Sequence, residues 1–248
     1  MTDRVALVTG AAQGIGQATA EMLASKGMAV VAADRNLDGI AEVVAGIQAT
    51  GHRAIALHLD VTDSEAVVQR LDETAKSFGD ISVLVNNVGG DELVPFQSSD
   101  ELFWDKVIEL NFTSMVRVTH AVLPAMVRQG WGRIVNISSD AGRIGTSLEP
   151  LYTGAKGGVI AFAKTLAREV ARDGVTVNTV CPGMIDTPAL RTLTESHERL
   201  FAAMTQRVPV RRPGEPRDIA AAVAYFASDD AGYVTGQTLS VNGGLSMV

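Results

Sequence analysis

Seven short apolar runs, spaced by helix-length amphipathic segments, limit this chain to very few folds. The runs are "VALVT" (5–9), "MAVVAA" (28–33), "AIALHL" (54–59), "SVLVN" (82–86), "RIVNIS" (133–138), "VTVNTV" (175–180) and "QTLSV" (237–241). Between them lie amphipathic segments 14–26, 37–50, 63–78, 100–129, 150–172 and 215–228. Strands that are apolar along their whole length are buried on both faces, as in a parallel sheet covered by crossover helices. Right-handed crossovers then predict a doubly wound α/β sandwich around a parallel seven-stranded sheet. No linker, repeat or low-complexity tract divides the 248 residues, and 46% apolar content suffices for one large core, so residues 1–248 read as a single domain. Segment 187–214 interrupts the alternation and is bounded by Pro188 and Pro213-Gly214. It reads either as a lid over a site at the carboxyl edge of the sheet or as an ordinary surface helix pair.

The connection after the first run carries the first chemistry. In "TGAAQGIG" (9–16), Gly10, Gly14 and Gly16 surround Gln13 and Ile15 between a strand and a helix. Glycines there permit a tight turn and let backbone N–H groups approach a pyrophosphate at the positive helix N-terminus. Asp34 ends the next strand eighteen residues past Gly16, near the spacing at which a carboxylate accepts bonds from an adenosine ribose. This is the Rossmann dinucleotide-binding pattern. A carboxylate at that position pairs with the 2′-OH of NAD and repels the 2′-phosphate of NADP, and Gln13 adds no charge in the loop. Arg35 could accommodate the phosphate, but NAD is the cofactor expected.

Bulk properties exclude other classes. A net charge of −7 argues against nucleic acid or an anionic membrane as partner. No run of apolar residues is long enough to span a bilayer. The start "MTDRVALVTG" enters an apolar strand at once, which leaves no room for a signal peptide. With Cys181 the only cysteine, an intramolecular disulfide is impossible and a cytoplasmic setting is expected. His52, His58, His120 and His197 show no ligand spacing, so no metal centre is expected.

The second chemical feature is "LYTGAKGGVIAF" (151–162). Tyr152 and Lys156, four apart on a helix, share one face. Gly154, Gly157 and Gly158 around them read as room for a cofactor or a partner helix. Ser138 and Ser139 close the preceding strand and point to different sides, and spacing alone does not choose between them.

These residues together resemble the short-chain dehydrogenase/reductase family over the whole chain. The matching stretches are "TGAAQGIG" (9–16), "DV" (60–61), "NNVGG" (86–90), Asn111, "NISS" (136–139), "YTGAK" (152–156), "CPGMIDT" (181–187) and "TGQTLSVNGG" (235–244). Val88 stands where the family usually has alanine, which could reshape the wall beside the cofactor. The resemblance implies Tyr152 as the acid/base and Lys156 as its tuner and ribose ligand. It further implies Ser139 as the group holding the substrate oxygen and Asn111 as support for a proton-relaying water. Asp60 and Val61 would flank the adenine, Asn87 and Gly89 the adenosine side, and Ile185 and Thr187 the carboxamide, with Pro182 and Gly183 alongside. A free phenol titrates near pKa 10, so activity near pH 7–8 needs roughly 3–4 kcal/mol of phenolate stabilisation. A cation about 4 Å away is worth on the order of 4 kcal/mol at an effective dielectric of 20, so Lys156, aided by the positive nicotinamide ring, is expected to depress the Tyr152 pKa. Cys181 reads as a core residue.

The C-terminal half, "GRIVNISSDAGRIG" through "SDDAGYVTGQTLSVNGGL", is similar to NAD-dependent 2-hydroxycyclohexanecarboxyl-CoA dehydrogenases. The implied reaction interconverts a secondary alcohol and a ketone, with a cyclic 2-hydroxyacyl-CoA as the leading small-molecule substrate. Arg191, Arg199, Arg207, Arg211 and Arg212 either bind the phosphates of a CoA thioester or pair with Glu195, Glu198 and Glu215 on the surface. The rivals are an NADPH-dependent 3-oxoacyl carrier-protein reductase and a non-catalytic dinucleotide-binding regulator; a regulator is expected to lose the Tyr or Lys. A lyase on this fold, such as a halohydrin dehalogenase, would lose the glycine loop and carry Arg for the Lys. By resemblance the chain forms a homotetramer, with helices 100–129 and 150–172 pairing across one interface. Leu151, Val159, Phe162, Leu166 and Val170 serve either that interface or the core.

Overall fold

The computed structural model describes residues 4–195 and 205–248. Its strands are β1 (Val5–Thr9), β2 (Ala29–Asp34), β3 (Ala54–His58), β4 (Ile81–Asn86), β5 (Gly132–Ile137), β6 (Val175–Pro182) and β7 (Thr238–Val241). They form one sheet in the order β3-β2-β1-β4-β5-β6-β7, and every pairing is parallel. The helices described are α1 (Gly14–Ser25), α2 (Leu37–Ala49), α3 (Ser64–Phe78), α4 (Glu101–Ile108), α5 (Ser114–Gln129), α6 (Ala141–Ile144), α7 (Pro150–Val170), α8 (Pro188–Glu195) and α9 (Pro216–Phe226). Strand and helix limits read from the sequence fall within two residues of these, apart from segment 100–129.

Alternation along each strand sends side chains into two cores. Val8, Val30, Val83 and Val135 meet Leu23 of α1, Ile40 of α2 and Ile219 of α9 on one face. Leu7, Val31, Leu84 and Ile134 meet Val67 of α3, Val118 of α5 and Ala163 of α7 on the other. Fully burying each such aliphatic side chain contributes about 1.5–3 kcal/mol, so the two-sided burial of the sheet is what holds its carboxyl edge rigid. The strand order reverses between β1 and β4, and the crevice above that switch point is where such sheets bind ligands.

Local chemistry fixes the helix starts. The side chain of Asn36 accepts the Gly39 N–H, Asp63 accepts those of Glu65 and Ala66, and Asp100 accepts that of Phe103. At α9, Glu215 and Asp218 form a reciprocal capping box. By contrast, Gln13 makes no side-chain cap at α1, and no acidic residue lies in that helix's first turn. The positive end of α1 is therefore not neutralised by its own sequence.

One expectation needs correction. Segment 100–129 is not one helix: a π-helical turn, Glu109–Thr113, separates α4 from α5. Such turns insert one residue into the ladder and occur mostly at functional sites. Within α7, Val159, Leu166 and Val170 are core residues and Phe162 packs against the core, one of the two uses expected of them. Two of the three glycines of α7 leave room for neighbouring helical elements. Gly157 faces the Gly142 carbonyl, Gly158 lies against the Phe112 ring, and Gly154 has nothing near it.

Segment 187–214 leaves and returns at one place, because the Asp186 N–H donates to the Gly214 carbonyl at 2.8 Å and the Gly214 N–H to that of Met184 at 2.9 Å. Its described parts are α8 and residues 205–214. Among the described residues no helix is long and apolar enough to cross a membrane.

Candidate active site

The loop after β1 is built too tightly for side chains. Gly10 and Gly14 have φ of +65° and +57°, the left-handed region that favours glycine. A Cβ on Gly16 would lie 2.0 Å from the Gly10 carbonyl oxygen and 2.7 Å from the Asn87 amide nitrogen. Asn87 ties this loop to β4, donating from Nδ2 to the carbonyls of Thr9 (3.0 Å) and Gly10 (3.1 Å). Thr187 closes the other side, its Cγ2 lying 3.3 Å from where a Gly14 Cβ would be. Asp34 accepts the Ala12 N–H at 3.2 Å and the Asn36 N–H at 2.9 Å, so its carboxylate faces the glycine loop from the end of β2. An open helix N-terminus, a collar without side chains and a carboxylate beside it fit a dinucleotide.

Other residues expected at the cofactor divide into two groups. Asp60 is exposed at the end of β3, and hydrogen bonds from Thr62, with a further contribution from the Arg35 charge, hold its carboxyl below the usual range. Pro182 and Gly183 end β6, and a Gly183 Cβ would meet Asn242 at 2.7 Å. Val61 and Ile185, however, point into the core, so any ligand contact they make is through their backbone. Sequence position alone gave no sign of that.

The polar group beyond the nicotinamide end converges from four elements. Ser138 donates to the Lys156 carbonyl at 2.8 Å and is buried, so it staples β5 to α7. Ser139 accepts the Ala141 N–H at 3.1 Å, and its hydroxyl eases ionisation of the Tyr152 phenol. Lys156 is buried and donates to the Ile137 carbonyl at 3.0 Å. Asn111 sits inside the π-turn, where Nδ2 donates to the carbonyls of Gly90 and Val107, both at 2.9 Å, and Oδ1 accepts the Gly90 N–H at 3.0 Å. Gly89 lies between the last two side chains: a Cβ there would be 2.7 Å from Lys156 Nζ and 2.8 Å from Asn111 Oδ1.

The electrostatics differ from the sequence expectation. Burial pushes the Tyr152 phenol up to about 12, with the Ser139 hydrogen bond acting the other way and the charges of Glu149 and Asp91 adding to the rise. Burial likewise brings Lys156 down to about 8. The ammonium does not depress the phenol, because Nζ lies 5.7 Å from the ring centroid and is turned to the Ile137 carbonyl. Without cofactor, this is a protonated phenol beside a hydroxyl, with a buried amine one turn away. Such a pair can hold an oxygen and give it a proton.

Two acidic residues at the site escaped the sequence reading. Glu149 precedes Tyr152 by three positions, one helical turn, which is the signal that could have found it. Asp91 follows the "NNVGG" loop, and its Oδ2 is buried without a partner. The loop after Ser139 is anchored by Asp140, which is buried and accepts from Ser240, Asn242 and Ser246.

The arginines expected near the segment 187–214 are mostly engaged elsewhere. Arg191 makes a two-pronged contact with Asp186 at 2.7 and 2.9 Å, Arg212 pairs with Asp218 at 3.1 Å, and Arg211 donates to the Gln206 carbonyl at 2.6 Å. The partners so described for Arg191 and Arg212 are aspartates. Arg207 is exposed, while Arg199, Glu198 and His197 lie outside the described residues. Cys181 is fully buried, and burial raises its thiol to about 11, consistent with a core residue. Among the described residues no group of acidic, His or Cys side chains is placed to hold a metal ion.

Comparison with known proteins bears on this geometry. A family model described as enoyl-(acyl carrier protein) reductase matches residues 10–246. The chain is 42% identical to the 3-oxoacyl-[acyl-carrier-protein] reductase FabG of Haemophilus influenzae over 247 residues, covering 99% of both. It is 41% identical to the Escherichia coli protein of that name, covering 99% of this chain and 98% of the other. It is also 41% identical to nodulation protein G of Azospirillum brasilense, covering 99% of both. A crystal structure titled as a putative gluconate dehydrogenase from Agrobacterium tumefaciens superposes with a TM-score of 0.95 at 30% identity, over 99% of this chain and 97% of that one.

Proposed function

We propose a function from one firm premise: this chain belongs to the short-chain dehydrogenase/reductase family and is an oxidoreductase. The reaction is hydride transfer between a nicotinamide dinucleotide and the carbon of a 3-oxoacyl or 3-hydroxyacyl thioester. Sequence resemblance placed a cyclic 2-hydroxyacyl-CoA first and a 3-oxoacyl carrier-protein reductase second; the names of the relatives favour the second. The two readings share one chemistry. In a 2-hydroxycyclohexanecarboxyl thioester the carbinol carbon is β to the thioester carbonyl, so it is itself a 3-hydroxyacyl group closed into a ring.

The observation that carries the proposal is the convergence of Ser139 at the carboxyl end of β5 with Tyr152 and the buried Lys156 of α7, beside Asn111 of the π-turn. When bound, the nicotinamide supplies the hydride. Ser139 donates a hydrogen bond to the ketone oxygen, and Tyr152 gives its proton to that oxygen as negative charge develops there. Burial keeps the phenol protonated, so the proton is in place before the oxygen takes up charge. Lys156 would hold the nicotinamide ribose, and Asn111, on the other side of Gly89, would support a water that returns a proton to Tyr152 through Lys156. Gly10, Gly14 and Gly16 with the N-terminus of α1 receive the pyrophosphate, and Thr187, beside Gly14, closes over it.

Asp34 supports NAD(H) over NADP(H). Its carboxylate faces the glycine loop, Gln13 brings no cation, and the Arg35 charge is shared with Asp60. The test is a matrix of acetoacetyl-CoA, a 3-oxoacyl carrier protein and 2-oxocyclohexanecarboxyl-CoA, each with NADH and NADPH. Turnover of the thioesters with NADH preferred is the expected result. Activity confined to NADPH overturns the cofactor assignment, and no thioester turnover with either cofactor overturns the substrate class.

A further inference from the structure

The active-site tyrosine is flanked by two carboxylates that the proton-transfer scheme does not use. Asp91 lies on the loop after β4, and Glu149 directly precedes α7. The Val94 N–H donates to the Leu148 carbonyl at 3.1 Å, which stitches the two loops together. Leu148 holds φ at +71°, a conformation sparsely populated by non-glycine residues, so the approach to Glu149 is fixed by its surroundings. The Glu149 carbonyl accepts the Thr153 N–H at 2.8 Å, its side chain makes no capping bond, and it stands three positions before Tyr152. Asp91 presents a buried Oδ2 with no hydrogen-bond partner. No salt bridge reaches either carboxylate among the described residues.

The two groups sense each other and the phenol. Burial first, and then the Asp91 charge, pushes the Glu149 carboxyl up, and both charges raise Tyr152. A free 3-oxo acid would bring its own carboxylate within two bonds of the carbon that Tyr152 and Ser139 hold, next to these two charges. A thioester or ester puts an uncharged group in that place. Like charges in a partly buried site repel strongly, whereas a neutral acyl group incurs no such penalty.

We propose that Asp91 and Glu149 form an anionic wall that makes the enzyme select the thioester against the corresponding free 3-oxo acid. This specificity rests on the thioester reading above and adds to it the residues that reject the acid. Unlike arginine contacts to a distant phosphate, it acts at the reacting end of the substrate, so it applies whether the carrier is CoA or a protein.

The experiment compares kcat/KM for acetoacetate and for uncharged ethyl acetoacetate, with NADH, in wild type, Glu149→Gln, Asp91→Asn and the double variant. Acetoacetyl-CoA is run as a third substrate, and Glu149→Asp is the conservative control. The double variant is expected to raise kcat/KM for acetoacetate at least about tenfold relative to the ester, with each single variant between. Glu149→Asp should keep most of the wild-type discrimination, and NADH affinity measured by fluorescence should not move. An ester-to-acid ratio within twofold of wild type in the double variant overturns the wall. So does a Glu149→Asp variant that behaves like Glu149→Gln, because the charge is then not what matters. Variants that lose the ester and the acid equally would make these carboxylates structural or hydrogen-bonding groups, and that also overturns it. If wild type turns over neither acetoacetyl-CoA nor ethyl acetoacetate, the thioester reading fails and the inference falls with it.

Discussion

Gly89 and Gly90 are neighbours in sequence with opposite expected tolerance to a single methyl group. A Cβ on Gly89 would lie 2.7 Å from Lys156 Nζ, 2.8 Å from Asn111 Oδ1 and 3.3 Å from Lys156 Cε. A Cβ on Gly90 meets nothing within 4 Å. Neither crowded group can yield freely, because Asn111 is held by three hydrogen bonds and Lys156 is buried against the Ile137 carbonyl. Leaving a buried polar group unsatisfied costs about 1–3 kcal/mol, and relieving both contacts disturbs two groups, so Gly89→Ala should lose roughly 2–6 kcal/mol. For a chain of this size that lowers Tm by about 4–24 °C. A displacement of about 1 Å in Lys156 should reduce kcat on the order of 100-fold. Gly90→Ala should remain near wild type in both respects. Differential scanning calorimetry and steady-state rates on the two variants decide the matter. Equal behaviour of the pair, or a Gly89→Ala enzyme with wild-type Tm and kcat, refutes the packing argument.

Further predictions address the charges and the glycine loop. Gly16→Ala, with its Cβ 2.0 Å from a backbone carbonyl, should fold poorly or lose dinucleotide binding altogether, as read by circular dichroism and NADH fluorescence. Asp34→Ala should shift the NADPH-to-NADH ratio of kcat/KM upward by at least about tenfold, equivalent to about 1.4 kcal/mol; an unchanged ratio would detach Asp34 from cofactor choice. Removing the Glu149 charge should lower the Tyr152 pKa, so the rise of kcat/KM with pH in the oxidation direction should move to lower pH in Glu149→Gln. Lys156 titrates near 8 when folded against 10.5 as its ordinary value, so between those pH values the unfolded chain binds more protons. Stability from this group therefore rises with pH above 8, by up to about 1.4 kcal/mol per pH unit, and that increment should vanish in Lys156→Met as followed by urea unfolding at pH 8 and 9.

What could be read from the sequence follows from how local the determinants are. Strands such as "VALVT" and the two-faced sheet were legible because burial on both sides leaves continuous apolar runs. The glycine loop was legible because its constraints are steric and act within a few residues. The break at Asn111 was not, since a π-turn leaves the hydrophobic period almost intact and depends on the bonds from Asn111 to Gly90, far from it in sequence. The orientation of Lys156 was hidden for a related reason. Four-residue spacing places Lys156 on the same face, but the strand behind it supplies the carbonyl that turns the ammonium aside. Asp91 and Glu149 reach the site through loops joined by one backbone hydrogen bond, a pairing that no local pattern encodes.

The most direct test of the central claim is acetoacetyl-CoA-dependent oxidation of NADH by wild type and by Tyr152→Phe, with NADH binding measured on both. Turnover by wild type, a loss of about 10²–10⁴-fold in the variant and unchanged NADH binding are the predicted result. Comparable turnover by Tyr152→Phe, or none by wild type with either NADH or NADPH, would contradict it.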